Sequence, residues 1–430
     1  MKILLKHAAL LVAGNETQKM DVLLDEGVIQ RIKPELSQED AQCIDLAGRL
    51  LVPGFIDPHV HLREPGFTHK ETIRTGARAA IAGGYTTIFA MPNVSPCPDT
   101  AQRMLKMRER SLKEAGIAVG FYAPITKGEC GEELTDFDEL KEAGAVGFSD
   151  DGKGVQDSAM MYEAMKEVAR LDGVLAAHCE EERLLFGGCI HAGDYAQAKG
   201  YRGILRAVED QQIARDLLLA HETGARYHIC HMSTHRGVDL LKLAKEWGAK
   251  VSGEVTPHHL LLCDEDLRED GRWKMNPPLR SKKDQKRLLE GLQEGIIEAI
   301  ATDHAPHTEE EKSRGLEDSP FGITGLETSF PLLYTHLVLP GHLTLSRLVD
   351  AMSTAPARIF SLEGGRLSLG AKADLAVIDL NARYTIDPKN HQSMGKNTPF
   401  AGWEVQGRVD WVFKDGIPLM QEGSIQPWNE

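Results

Sequence analysis

Leu51-Val52-Pro53-Gly54-Phe55-Ile56-Asp57-Pro58-His59-Val60-His61-Leu62-Arg63-Glu64 is the stretch from which the rest of the chain is read. An apolar run ends in His-x-His, and Arg63 follows two residues later. Successive side chains on a strand alternate faces, so His59 and His61 point the same way. Two neutral imidazoles at one strand end suit a metal ion of the zinc class. Alone the pair is a weak signal, because a strand end is an ordinary place for two polar residues.

Outward from this stretch the sequence changes character on both sides. Residues 1–50 read as short strands, Ile3–Leu5, Asp21–Leu24, Val28–Ile32 and Gln42–Leu46, with turns at Gly14-Asn15 and Glu26-Gly27. From Leu51 strands alternate with helices, the pattern of a parallel α/β fold. The predicted strands are Leu51–Asp57, Thr86–Met91, Ile117–Pro124, Ala145–Ser149, Val174–His178, Ala225–His231, Lys250–Val255 and Ile297–Thr302. Eight such units in roughly 250 residues is the size of a (β/α)8 TIM-like barrel. Helices are expected at Gly325–Val338 and Thr344–Phe360, then strands again at Ala373–Leu380, Arg383–Asp387, Gly402–Val405 and Gly407–Phe413. The two strand-rich ends therefore pair into one small β-sandwich domain, 1–52 with 363–430, around a barrel at 53–362.

Composition narrows the function. The 430 residues are 42% hydrophobic and 26% charged, which is ordinary for a globular chain with a large core. A net charge of −15 argues against nucleic acid or an acidic membrane as partner, though not against a small anion met by local Arg and His. Seven scattered cysteines without a Cys-x-x-Cys fit a reducing cytoplasm. The N-terminal apolar run is short and broken by Lys6 and His7, so it reads as a strand rather than a signal peptide.

In a barrel of this kind chemistry sits at the C-terminal strand ends. Strand 1 ends in His59 and His61, strand 2 in Asn93, strand 4 in Asp150-Asp151 and strand 5 in His178. Strand 6 ends in His231 and strand 8 in Asp303-His304. Four histidines and two acidic positions thus converge on one mouth. Six ligands exceed the four of a tetrahedral zinc, so two ions bridged by a carboxylate and a hydroxide are expected. Such a pair makes a nucleophilic hydroxide near neutral pH and polarises a carbonyl, which suits attack on an amide. Other features read as structural. His258-His259 are neighbours on a strand and face opposite ways. Cys179 and Cys230 point into barrel–helix packing, and the basic run Arg280–Arg287 is a solvated helix start.

The stretch Gly54 to His61 resembles the opening motif of the amidohydrolase superfamily. His178, His231, the segment Ala301-Thr302-Asp303-His304-Ala305-Pro306-His307 and the closing run Gly365–Val377 are similar to its other signatures. Within it, His61-Leu62-Arg63-Glu64-Pro65-Gly66, Met91-Pro92-Asn93 and Met275-Asn276-Pro277-Pro278-Leu279-Arg280 resemble the bacterial class I dihydroorotase family, over nearly the whole chain. The resemblance implies reversible cyclisation of N-carbamoyl-L-aspartate to L-dihydroorotate in pyrimidine synthesis. It implies zinc held by His59, His61, Asp151, His178, His231 and Asp303, with Asp303 moving the proton. His61, Arg63, Asn93 and His307 match substrate positions, as do Asn276 and the Phe321-Gly322 backbone at the ring. Many relatives bridge their metals with a strand-4 lysine, where this chain has Asp150-Asp151; which aspartate bridges, and how full the second site is, stay open. Hydantoinase, dihydropyrimidinase or allantoinase chemistry and a non-catalytic scaffold are the alternatives. A cytoplasmic homodimer is expected, and association with aspartate transcarbamoylase follows only from the resemblance.

Overall fold

The computed structural model describes residues 2–428. Eight parallel strands follow in chain order: Phe55–Val60, Tyr85–Ala90, Ala118–Ala123, Gly147–Phe148, Val174–Ala177, Arg226–Ile229, Val251–Val255 and Ala299–Ile300, here β1 to β8. The seam between β8 and β1 is drawn together by the His61 N–H, which donates to the His304 carbonyl at 2.9 Å. The buried Asp57 carboxylate reinforces it by accepting from the Thr302 amide and hydroxyl. Helices cover the outside as the alternation predicts. The first, Ile73–Ala82, starts where the Thr72 hydroxyl caps the Thr75 amide, and it buries Ile73, Ala77, Ala80 and Ile81 against the strands.

The decisive stretch differs from its reading in one respect. The strand expected at Leu51–Asp57 is two strands: Leu50–Pro53 lies in a second sheet, and β1 begins at Phe55. Gly54 makes the passage between them. A Cβ there would lie 2.3 Å from the Thr86 side chain, so only glycine lets β2 come this close.

The second sheet has nine strands drawn from both chain ends. Leu50–Pro53 runs between Ile3–Ala13, to which it is parallel, and Leu375–Thr385, to which it is antiparallel. Ile3, Leu5, Val22, Leu24, Leu51, Leu375, Val377 and Phe413 form its own core. Four C-terminal strands were expected between Ala373 and Phe413, but two long ones are present, Leu375–Thr385 and Glu404–Lys414. The breaks expected after Leu380 and Val405 are both absorbed at the register shift between Asp379 and Arg383, because a bulge accommodates extra residues without ending the pairing. The helices predicted at Gly325–Val338 and Thr344–Phe360 are likewise broken into α-helical pieces joined to wider π-helical turns at Tyr334–Val338 and Asp350–Thr354.

Arg280 corrects the reading of a solvated helix start. It is buried, with Nη1 donating to the Ile204 carbonyl at 2.9 Å, Nε to Ser233 Oγ at 3.1 Å, and Nη2 3.4 Å from Glu209 Oε2. The run is basic in composition, but its first residue ties the 204, 233 and 280 segments together beneath the surface. Arg280→Met leaves Glu209 buried without its cation, and removing one partner of a buried pair costs about 3–5 kcal/mol. A urea midpoint unchanged from wild type would contradict this.

Candidate metal centre and active site

Alternation alone does not place the strand-end residues. Along β6 Tyr227 and Ile229 face the helices while His228 and Cys230 face the barrel interior, so His231 is due to face outward. Its backbone adopts φ +32°, which turns the ring inward instead. Arg63 and Asp303 also sit in the left-handed region, at +59° and +48°. Such conformations cost roughly 1–3 kcal/mol each in a non-glycine residue and persist only where the surroundings enforce them. The same alternation corrects Cys230, whose side chain lies inside the barrel with Phe89, Tyr122 and Phe360 rather than in helix packing. Cys179 is in that outer packing, beside Tyr227.

The six expected ligand positions meet at the mouth, all buried. His59 Nε2 lies 3.3 Å from Asp151 Oδ1 and 3.7 Å from Asp303 Oδ1. His61 Nε2 lies 3.0 Å from Asp303 Oδ1 and 3.6 Å from Asp151 Oδ2. His231 Nε2 is 3.7 Å from Asp151 Oδ1 and 3.0 Å from His178 Nδ1. Asp151 therefore stands between two groups, His59 with His61 and His178 with His231, each compact enough to hold one cation. Asp150 is turned away and accepts from the Ile125 and Thr126 amides at 2.7 and 3.1 Å.

These residues fit a metal on a direct observation. His59 Nε2, Asp151 Oδ1 and His231 Nδ1 are buried without a hydrogen-bond partner among the described residues. Buried polar atoms are otherwise almost always satisfied, and a cation gives the first two the partner they lack. Burial works against charge on Asp303, but the His61 hydrogen bond and the neighbouring imidazoles hold its carboxyl well below the usual range.

The expected substrate residues form a rim. The neutral His307 ring donates from Nε2 to the Phe321 carbonyl at 2.8 Å, and its Nδ1 accepts from Lys70 Nζ at 3.3 Å. Burial first, then Arg63 and Lys70, push its pKa down to about 3. Arg63 Nη2 is 3.3 Å from the same ring, and Nε donates to the Pro306 carbonyl. Gly322 has φ +127° and an added Cβ would lie 2.6 Å from the Ala305 Cβ, so glycine is required where the chain passes the rim. Asn93 has both amide atoms engaged inside, Oδ1 with His61 Nδ1 at 3.0 Å and Nδ2 with Asp151 Oδ2 at 3.2 Å. Asn276 Nδ2 donates to Glu180 Oε2 at 2.6 Å.

Several contributors escaped the sequence reading. Lys312 donates to the carbonyls of Lys274, Pro320 and Gly322 and so shapes the Phe321-Gly322 loop. Asn397, far along the chain, donates to the Ala305 and Gly322 carbonyls and accepts from the His307 amide. Glu254 lies within the barrel against His59; a carboxylate inside the predicted strand Lys250–Val255 was its one available signal. His258-His259 are not on a strand but in the short helix Pro257–Leu261. There His259 Nε2 contacts the Pro277 carbonyl at 3.0 Å, next to Asn276.

Comparison with known proteins places this arrangement among relatives. The profile of the family described as Dihydro-orotase-like matches residues 48–237. A Geobacillus kaustophilus protein named Dihydroorotase is 51% identical over 98% of this chain and 100% of its own length. One of the same name from Halalkalibacterium halodurans is 52% identical over 95% of each. Among solved structures, L-hydantoinase (dihydropyrimidinase) from Arthrobacter aurescens superposes with a TM-score of 0.89 at 27% identity, covering 99% of this chain and 97% of its own. D-hydantoinase from Thermus sp. does so at 0.86 and 28%, covering 99% and 97%.

Proposed function

The chain belongs to the dihydroorotase family, and we propose on that premise that it interconverts N-carbamoyl-L-aspartate and L-dihydroorotate. The observation that carries the substrate choice is the desolvated Arg63 guanidinium against the His307 ring, beside the carboxylate–imidazole centre, with Lys70 paired to Glu311 behind it. A guanidinium grips a carboxylate with paired donors, and this substrate carries one in either direction. Zinc, with two ions per subunit around Asp151, is the metal we assign to the centre. It supplies Lewis acidity, lowering the pKa of a water from 15.7 toward about 7 and polarising a carbonyl.

The chain's own residues then have distinct work. Arg63 holds the carboxylate, with Asn93 and the His307 ring beside it, while Asn276 and the Phe321-Gly322 backbone border the ring. As the water oxygen adds to the ring amide carbon, Asp303 takes its proton. When the carbon–nitrogen bond breaks, Asp303 returns that proton to the departing nitrogen, and ring closure reverses both transfers with release of water. The same proposal includes the cytoplasmic homodimer, and an association with aspartate transcarbamoylase. Among the described residues no helix is long and apolar enough to cross a membrane.

The likeness to solved hydantoinases makes ring opening of hydantoin the second reading. Assaying both substrates separates them, because hydantoin has no carboxylate for Arg63 to hold. Dihydroorotate is expected to turn over, and Arg63→Met to lower its kcat/KM at least tenfold, since a hydrogen bond to a charged group is worth about 1.5–3 kcal/mol. An enzyme that opens hydantoin but not dihydroorotate would overturn the choice.

A further inference from the structure

Beneath the metal centre a line of buried polar side chains runs down the barrel interior. His59 Nδ1 is 3.2 Å from Glu254 Oε1, Glu254 Oε2 is 3.0 Å from His228 Nε2, and His228 Nδ1 is 2.8 Å from Ser252 Oγ. His59, His228 and Glu254 are fully buried, and Ser252 borders an open cavity at the opposite, N-terminal end of the barrel. The backbone amide of His231 also points at Glu254 Oε1, at 3.3 Å. One carboxylate thus meets the ring of one expected ligand and the main chain of another, at the residue whose φ is +32°.

We propose that Glu254 is a positioning residue for the metal centre, fixing His59 and His231 in the geometry that binds zinc. A carboxylate only accepts, so His59 must carry its hydrogen on Nδ1 and present the Nε2 lone pair to the centre. The second contact holds the His231 backbone in the turn that brings its ring inward. His228, anchored by Ser252, holds the carboxylate's other oxygen and prevents it from rotating away. Metal-bound histidines depend on such outer partners for both ring orientation and basicity. Glu254 touches neither substrate nor the reacting atoms, and its role rests on the metal reading given above.

The test measures zinc binding to metal-stripped protein by competition with a chromophoric chelator, beside the melting temperature of the metal-free form. Glu254→Gln replaces one acceptor oxygen with an amide donor, so one of three converging donors loses its partner. Its zinc dissociation constant is expected to rise about 10–100-fold. His228→Gln, which loosens the carboxylate without removing it, is expected to raise it several-fold. Zinc affinity equal to wild type in a folded Glu254→Gln protein would overturn the proposal. If that variant does not fold, His228→Gln decides, and wild-type affinity there overturns it too. A wild-type protein that takes up no zinc would instead sink the metal reading itself.

Discussion

Asp303→Asn is expected to keep most of its metal and lose turnover in both directions by at least 10²–10⁴-fold, roughly the range of general acid–base catalysis. Asparagine preserves the shape and one oxygen donor, but under working conditions it neither carries the charge nor accepts a proton. The structure gives this carboxylate two neighbours that compete for it. His61 Nε2 lies at 3.0 Å and His59 Nε2 at 3.7 Å from the same oxygen, Oδ1. Those contacts aim the carboxylate at the centre. Measuring metal content beside the forward and reverse rates separates a ligand from a proton carrier. Near wild-type rates at full metal content would show that another group moves the proton.

Removing the metal is expected to have the largest effect of all. Exhaustive dialysis against a chelator should abolish turnover, and added zinc should restore it. Stability should follow, because four imidazoles and two carboxylates are packed into a buried space with His59 Nε2 and Asp151 Oδ1 unpartnered. A ligand present at about 1,000 times its dissociation constant stabilises the native state by about 4 kcal/mol. The chelated protein should therefore melt measurably lower and recover with zinc. Turnover undiminished by a chelator that demonstrably strips the protein would exclude a metal from the chemistry.

The barrel and the gathering of the six positions at its mouth were legible because each depends on local pattern. Apolar strands alternate with amphipathic helices, and a polar residue just past an apolar strand stands out. What was not legible depends on direction and on distant contacts. The turn at His231 that reverses its ring cannot be seen in Ile229-Cys230-His231, and Cys230 was misplaced for the same reason. Asp150 and Asp151 look alike in sequence, but the amides of Ile125 and Thr126 hold Asp150 away while Asp151 faces the imidazoles. Arg280 looks solvated in a basic run, yet its partners come from residues 204, 209 and 233. The contacts that Asn93 makes with His61 and Asp151 are likewise not revealed by the pattern around Met91-Pro92-Asn93.

The position of Leu50–Pro53 between Ile3–Ala13 and Leu375–Thr385 also governs how the chain can be made. A ribosome releases this strand some 300 residues ahead of its second neighbour, at roughly 5–20 residues per second. For about 15–60 s the nascent chain therefore carries an unfilled apolar edge of Leu50, Leu51 and Val52, the kind of surface that joins another chain's strand. That edge stays open until the last eighth of the polypeptide emerges, so refolding from denaturant should yield less native protein as concentration rises.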